Sequence, residues 1–245
     1  MAGHSKWANI KRHKAVVDAK RGKLFTKASK EIIVAARLAG GDPDANSRLR
    51  MAIVNARAVS MPADNIKRAI LRGTGELAGT SYEDVTYEGY GPGGVAVIVV
   101  CATDHRNRTT QQLRAVFTKF NGSLGEMNSV SWGFTRKGEI RIESTQSEEA
   151  VLQMALDAGA DDMLMIEDGA VIFCAVDVLG TCTNHLVSAG IEVKEQYIVY
   201  EPSTRVELTD GGVEQKLVKM LDALDDHDDV QNVFHNAELQ EDQDS

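Results

Sequence analysis

The apolar positions of this 245-residue chain start without a period and then turn helical. Residues 1–14 show no repeat and read as an extended arm with one aromatic, Trp7. From about Ala15 to Ala39, Phe25, Ile32 and Ala36 fall on a narrow arc at about 100° per residue. Lys20, Lys23, Lys27 and Lys30 fall on the opposite arc, three and four apart, as one helical face requires. Gly40-Gly41 stops this helix. Asp42-Pro43 reads as the start of a second, with proline in the first turn, carrying Leu49, Ile53 and Ala56 to about Ser60. Pro62 opens a third, with Ile66, Ala69 and Ile70 as its apolar set and Gly73 at its end. Three helices of this length predict a small bundle.

The period then changes to that of strands. Tyr82–Glu88 and Val95–Ala102 read as strands, joined by the Gly-rich turn G-Y-G-P-G-G at 89–94. That turn matches a dinucleotide fingerprint in spacing but not in context, because a strand follows it instead of a helix. Asp104 to Thr110 opens a helix running to about Phe120, with Asn107, Thr109 or Thr110 as its cap, and Val130–Phe134 reads as a short strand. Next come a strand (Glu139–Glu143), a helix (Ser147–Ala158), a strand (Asp161–Ile166), a turn at Asp168-Gly169, a strand (Ala170–Val176), a helix (Val178–Ala189) and a strand (Ile191–Tyr200). This is the βαββαβ order of a ferredoxin-like domain. A helix at Gly212–Leu224 and a strand at Val230–His235 follow. They have no partners of their own, while the strands before residue 136 lack an αβ pair to complete a sheet. The predicted class is therefore α+β: a helical bundle with the basic arm (1–78), a split α/β domain (79–137 and 203–238), a ferredoxin-like domain inserted into it (138–202), and an acidic tail (239–245) expected to be disordered.

Charge divides the chain along the same line. The protein carries a net −9, yet residues 1–76 hold 16 Lys+Arg against 6 Asp+Glu, and the remainder holds 11 against 30. Nine of the cations lie between Lys6 and Lys30. Such asymmetry predicts a polyanion-binding module attached to acidic partners; the alternative is a solvated basic face with no ligand. The segment 138–202 holds 13 acids and two cations, so phosphate would repel it, and a protein partner suits it better. It also lacks the aromatic-rich strand pattern of an RNA-recognition motif.

No run of 18 apolar residues is present, so no membrane span is expected. No apolar run follows the first cations, so no secretory leader is expected either. Cys101, Cys174 and Cys182 form no C-x-x-C pair and read as reduced core residues of a cytoplasmic protein. The six histidines are scattered without metal-ligand spacing. The acids Asp222, Asp225, Asp226, Asp228 and Asp229 lack the glycine of a calcium loop and read as a solvated helix end. No nucleophile elbow, zinc-protease or P-loop motif is present. Neither an enzyme, a metal nor a cofactor is expected.

Several long motifs carry a family likeness: G-H-S-K-W-A-N-I-K, D-A-K-R-G-K-L-F-T-K, M-P-A-D-N-I-K-R-A-I, T-Y-E-G-Y-G-P-G-G, R-K-G-E-I and D-D-V-Q-N-V. Together they resemble the YebC family of bacterial regulatory proteins, with Arg12-His13 where the family usually has His-Arg. The resemblance implies a three-domain plan and a DNA-binding regulator of transcription. The family's mitochondrial relatives, which activate translation of a cytochrome oxidase subunit, imply the alternative of a ribosome-associated factor that binds ribosomal RNA. The candidate nucleic-acid contacts are Lys6, Trp7, Lys11, Arg12, His13, Lys14, Lys20, Arg21, Lys23, Lys27 and Lys30. Trp7 is either a base-stacking residue or an anchor into the bundle. Arg106 and Arg108 join the set because they lie at a helix start, where free backbone N–H groups favour phosphate.

Overall fold

A computed structural model of the protein describes residues 21–239. The expected disordered tail lies almost wholly outside that range. The described chain is α+β: three helices, then two four-stranded antiparallel sheets with helices packed on them.

Helices α1 (Arg21–Ala39), α2 (Ser47–Ala58) and α3 (Ala63–Gly73) form the bundle around Ile32, Ala36, Leu49, Ile53, Ile66 and Ala69. The second helix starts four residues later than proline placement predicts. Asp42–Asp44 instead makes a turn in which the Asp42 carboxylate accepts the Asp44 N–H. The buried Asn46 caps α2 by accepting the Leu49 N–H at 3.0 Å. Its amide also donates to the carbonyls of Ala35 and Gly40 at the end of α1. One side chain thus starts one helix and closes another. α1 and α3 touch at Gly73, where a Cβ would lie 2.6 Å from the Ile33 carbonyl oxygen and from the Ala36 methyl.

The first sheet runs in the order β3 (Ser123–Leu124), β1 (Glu83–Tyr90), β2 (Ala96–Thr103), β9 (Val230–His235). β2 is central and buried on both faces, as its unbroken apolar run requires. Val97, Val99 and Cys101 face α4 (Arg106–Lys119) and α7 (Gly211–Asp225), against Leu113, Phe117, Leu217 and Met220. Ala96 and Ile98 face the other way, onto Val130, Phe134 and Tyr200. The turn between β1 and β2 is a short 3-10 segment, Pro92–Gly94, and Gly93 sits in it at φ 73 with Leu208 packed over it. No helix follows this turn, which is the context a dinucleotide site needs.

The second sheet runs β5 (Asp162–Ile166), β6 (Gly169–Cys174), β4 (Phe134–Glu143), β7 (Val193–Pro202). With α5 (Glu148–Asp157) and α6 (Leu179–Ser188) packed over Ile140, Ile142 and Ile172, it has the ferredoxin-like arrangement. Two expectations need correction. Val130–Phe134 is not a strand: Ser131–Gly133 is a 3-10 turn, and the small strand of the first sheet is β3, which has no β-branched residue to mark it. β4 begins at Phe134, not Glu139, pairing with β7 from Phe134↔Pro202 onward. A minor parallel pair, β8 (Val206–Glu207) with β10 (Ala237–Glu238), closes the chain.

All strands of the second sheet therefore lie between Phe134 and Pro202, and the first sheet takes strands from both sides of them. The two ends meet where Ser203 N–H donates to the Gly133 carbonyl at 2.9 Å. Deleting residues 134–202 and joining Gly133 to Ser203 through a short Gly/Ser linker should leave one cooperative unfolding transition. Stability should fall by about 3 kcal/mol, since Ile98 and Phe234 lose the cover of Phe134 and Tyr200. Loss of cooperativity in urea denaturation would show that the inserted unit is not separable.

Candidate nucleic-acid interface

Of the predicted contacts, Lys6, Trp7, Lys11, Arg12, His13, Lys14 and Lys20 lie outside the described residues. Arg21 opens α1. The helical spacing of Lys23, Lys27 and Lys30 does place them on one face of α1, but that face meets the end of α7 and the loop before β9. Lys23 Nζ donates to the Asp226 carbonyl at 2.9 Å and lies 3.5 Å from its carboxylate. Lys27 Nζ donates to the carbonyl and carboxylate of Asp225 at 3.0 and 2.8 Å. Lys30 Nζ donates to the Asp228 carbonyl at 2.7 Å and the Asp229 carboxylate at 2.8 Å. Three ammonium groups thus satisfy backbone carbonyls at and just beyond the negative end of α7, each with a carboxylate beside it.

This arrangement corrects the reading of the acids as a solvated helix end for Asp225 and Asp229, while Asp222, Asp226 and Asp228 are exposed. Asp229 is only 3% exposed. One oxygen takes Lys30; the other accepts from Thr109 at 2.7 Å, Arg108 at 3.1 Å and Thr103 at 3.2 Å. Its own N–H donates to His227 Nδ1, and its carbonyl accepts the Ala102 N–H. Burial pushes this carboxyl up, but the hydrogen bonds from Lys30, Thr109 and Arg108 outweigh it and hold the pKa at about 2. Among the described residues no group of three His, Cys, Asp or Glu side chains is placed to hold a metal ion.

Arg108 is also committed, to Asp104 as well as Asp229. The cap of α4 is His105, not the residues expected: its ring Nδ1 accepts the Arg108 N–H at 3.2 Å. Arg106 is exposed, while its backbone carbonyl accepts from the Tyr87 and Thr110 hydroxyls. An open cleft of about 730 Å³ runs between bundle and sheet here, lined by Lys23, Lys30, Tyr82, Arg108, Gln112 and His227. Its cations face Asp104, Asp226 and Asp229 in the same walls, so it offers no net positive field.

The bundle carries other cations on its open side. Arg37, Arg57, Lys67, Arg68 and Arg72 are all exposed. None is ion-paired to a carboxylate among the described residues; Arg37 donates to the Ser81 hydroxyl and Arg68 to the Asn65 amide oxygen. Lys67, Arg68 and Arg72 lie on α3 away from its buried Ile66 and Ala69. Arg37 comes close to the end of α3 because α1 and α3 meet at Gly73. In the sequence these α3 cations enter only the total charge of residues 1–76. The signal was their placement beside a strongly one-sided apolar pattern.

The Asp229 cluster makes a sharp stability prediction. Asp229→Ala strands Lys30 in a buried position and should cost about 3–5 kcal/mol. Lys30→Met combined with Asp229→Asn removes both charges and should recover more than half of that loss. Because the folded pKa is depressed to about 2 from an ordinary 3.8, the carboxylate's contribution is complete above that ordinary value and disappears as pH falls through about 2. That contribution is about 2 kcal/mol. Urea denaturation of wild type and variants between pH 2 and 6 checks both statements; an Asp229→Ala protein with wild-type stability would refute them.

Comparison with known proteins agrees over nearly the whole chain. Residues 5–76 match the TACO1/YebC protein N-terminal domain, and residues 82–237 match the TACO1/YebC second and third domain. A probable transcriptional regulatory protein of Chloroherpeton thalassium is 53% identical over 98% of this chain and 97% of its own length. One of the same description from Methylacidiphilum infernorum is 49% identical, over 96% and 95%. The crystal structure of a conserved hypothetical protein of Aquifex aeolicus superposes with a TM-score of 0.86 at 45% identity, covering 94% of this chain and 95% of that one. With both family models matched and such identity held over nearly the full length, this chain belongs to the TACO1/YebC family.

Proposed function

We propose that the protein is a non-enzymatic regulator that binds nucleic acid through phosphate contacts, with double-stranded DNA in transcriptional control as its leading ligand. The carrying observation is the partition of charge. Residues 1–76 hold the excess of cations, and the acids of residues 225–229 are spent internally on only three of them. The cations left for a polyanion are those of the arm together with the open side of α3 and its neighbours. The names of the relatives, probable transcriptional regulatory proteins, support the same reading. The thiols support the non-enzymatic part of the reading: Cys101, Cys174 and Cys182 are buried, and burial pushes the Cys101 thiol up to about 12, far from a usable nucleophile.

A second reading, a ribosome-associated factor that binds RNA, draws on how the helices are used. The lysine face of α1 is engaged by the end of α7 and the residues just after it, and α2 is docked on β7, where Asn55 and Gln196 exchange two hydrogen bonds of 2.7 and 2.9 Å. α3 exposes cations, and its Asn65 already serves Arg68. Such contacts position a protein on phosphate without reading sequence.

Two triple variants test the proposal: Lys11, Arg12 and Lys14 to Gln, and Lys67, Arg68 and Arg72 to Gln. Binding to duplex DNA and to structured RNA is measured over a salt series. Each variant should flatten the log–log salt dependence on duplex DNA by roughly two to three units, at about 0.9 per phosphate contact, and weaken all sequences alike. Circular dichroism checks the fold. Unchanged slopes in folded variants would return these cations to solvent. A loss confined to RNA, with co-sedimentation of the wild type with ribosomes, would select the second reading. Labelled DNA or RNA incubated with the protein and Mg²⁺ should stay intact; cleavage abolished by Asp225→Asn with Asp226→Asn would overturn the non-enzymatic assignment.

A further inference from the structure

The most exposed large apolar side chains of the described chain are Trp132 and Met127, at 81% and 74%. They share one loop, residues 125–133, between β3 and β4. This loop is tightly fixed. The buried carboxylate of Glu88 accepts backbone N–H groups from Asn128 at 2.9 Å and from Val130 and Ser131 at 2.8 Å each. Burial pushes that carboxyl up, yet the N–H groups of Val130, Ser131 and Asn128 prevail and hold it below the usual range, so the anchor stays charged. Val130 is packed beneath the loop against Ala96 and Ile98.

The aromatic polar tips are turned inward. Trp132 Nε1 and the Tyr90 hydroxyl both donate to one acceptor, the Ser129 carbonyl, at 3.0 and 3.1 Å. Tyr90 is itself 38% exposed. With its only donor satisfied inside the loop, the indole presents ring surface to the outside, and holding it there costs no ordering on contact. Arg136 follows the loop on β4, exposed and set over the Tyr200 ring. Lys119 precedes it at the end of α4, set over the Phe120 ring. Neither is ion-paired among the described residues. A fixed, outward ring face is what an unpaired nucleobase stacks on, and exposed cations near it in the chain suit the phosphates that accompany one.

We propose that Trp132 is a stacking platform for an unpaired base, so that the nucleic acid engaged by this protein includes single-stranded or looped nucleotides as well as phosphate backbone. This rests on the nucleic-acid reading above and narrows it. The partner's distinguishing chemistry is a base out of its helix, in RNA or in locally opened DNA.

The test compares full-length wild type with Trp132→Ala and Trp132→Phe on three ligands: a fully paired duplex, an RNA hairpin with an unpaired loop, and a DNA hairpin with the same loop. Trp132→Ala should weaken binding to one or both hairpins by about 5- to 150-fold, the range spanned by stacking of one base. It should leave the duplex unchanged, and Trp132→Phe should restore most of the loss. Thermal unfolding of both variants should match wild type because the side chain is exposed. Equal affinities of wild type and Trp132→Ala for all three ligands would overturn the stacking role and leave the patch to a protein partner. The same loss on paired and unpaired ligands would also overturn it. A wild type that binds none of the three would overturn the nucleic-acid reading itself, and the stacking role with it.

Discussion

The structure depends on one buried carboxylate. Asp229 is fixed by α1 through Lys30, by β2 through Thr103 and the Ala102 N–H, and by α4 through Arg108 and Thr109. Three elements thus converge on a single group, and all of its partners except the exposed Arg108 are themselves buried polar groups needing one. A charge in that setting is stable only when fully surrounded by donors. The bundle is consequently not a loose basic appendage. It is keyed to the split sheet here, through the pair Arg48–Asp84 on β1, and to the inserted sheet through Asn55 and Gln196.

This keying changes the meaning of charge in the chain. A tally by residue type assigns Lys23, Lys27 and Lys30 to an external polyanion and the acids near residue 225 to water. In the folded protein they answer one another, and the helix end of α7 adds its carbonyls. The basic character that survives for a ligand is displaced toward the arm and the open side of α3. In the acidic inserted sheet Arg141 is likewise held internally, by Glu139 and Glu195, and the aromatic Phe173 on a central strand is only 3% exposed.

Much of the architecture was legible because it is written in local periods. The helices of the bundle, the βαββαβ order and the strand Val230–His235 follow from spacing alone. Element starts were less legible where a side chain decides them: Asn46 overrides the Asp42-Pro43 signal by capping α2, and His105 caps α4 although hydroxyl residues stand nearby. The site was least legible. Lys30 and Asp229 are 199 residues apart, and no periodicity connects such a pair. Trp132 was missed because its loop has no period, and its order comes from Glu88 on a strand some forty residues earlier.

The insertion also sets an order of events in time. β9 and Asp229 come near the end of the chain, so on emergence from the ribosome the inserted sheet has all four strands before its host has its last one. Until then β2 is a central strand with one bare edge, and Lys30 has no counterion of its own. Closing the host means joining Thr103 to a partner 126 residues away, a non-local step of the kind that slows folding. Once folded, the inserted unit holds its two ends side by side at Gly133 and Ser203 and so shortens the effective loop that β9 must close. A domain that interrupts another in sequence thereby serves as the brace on which that other is completed.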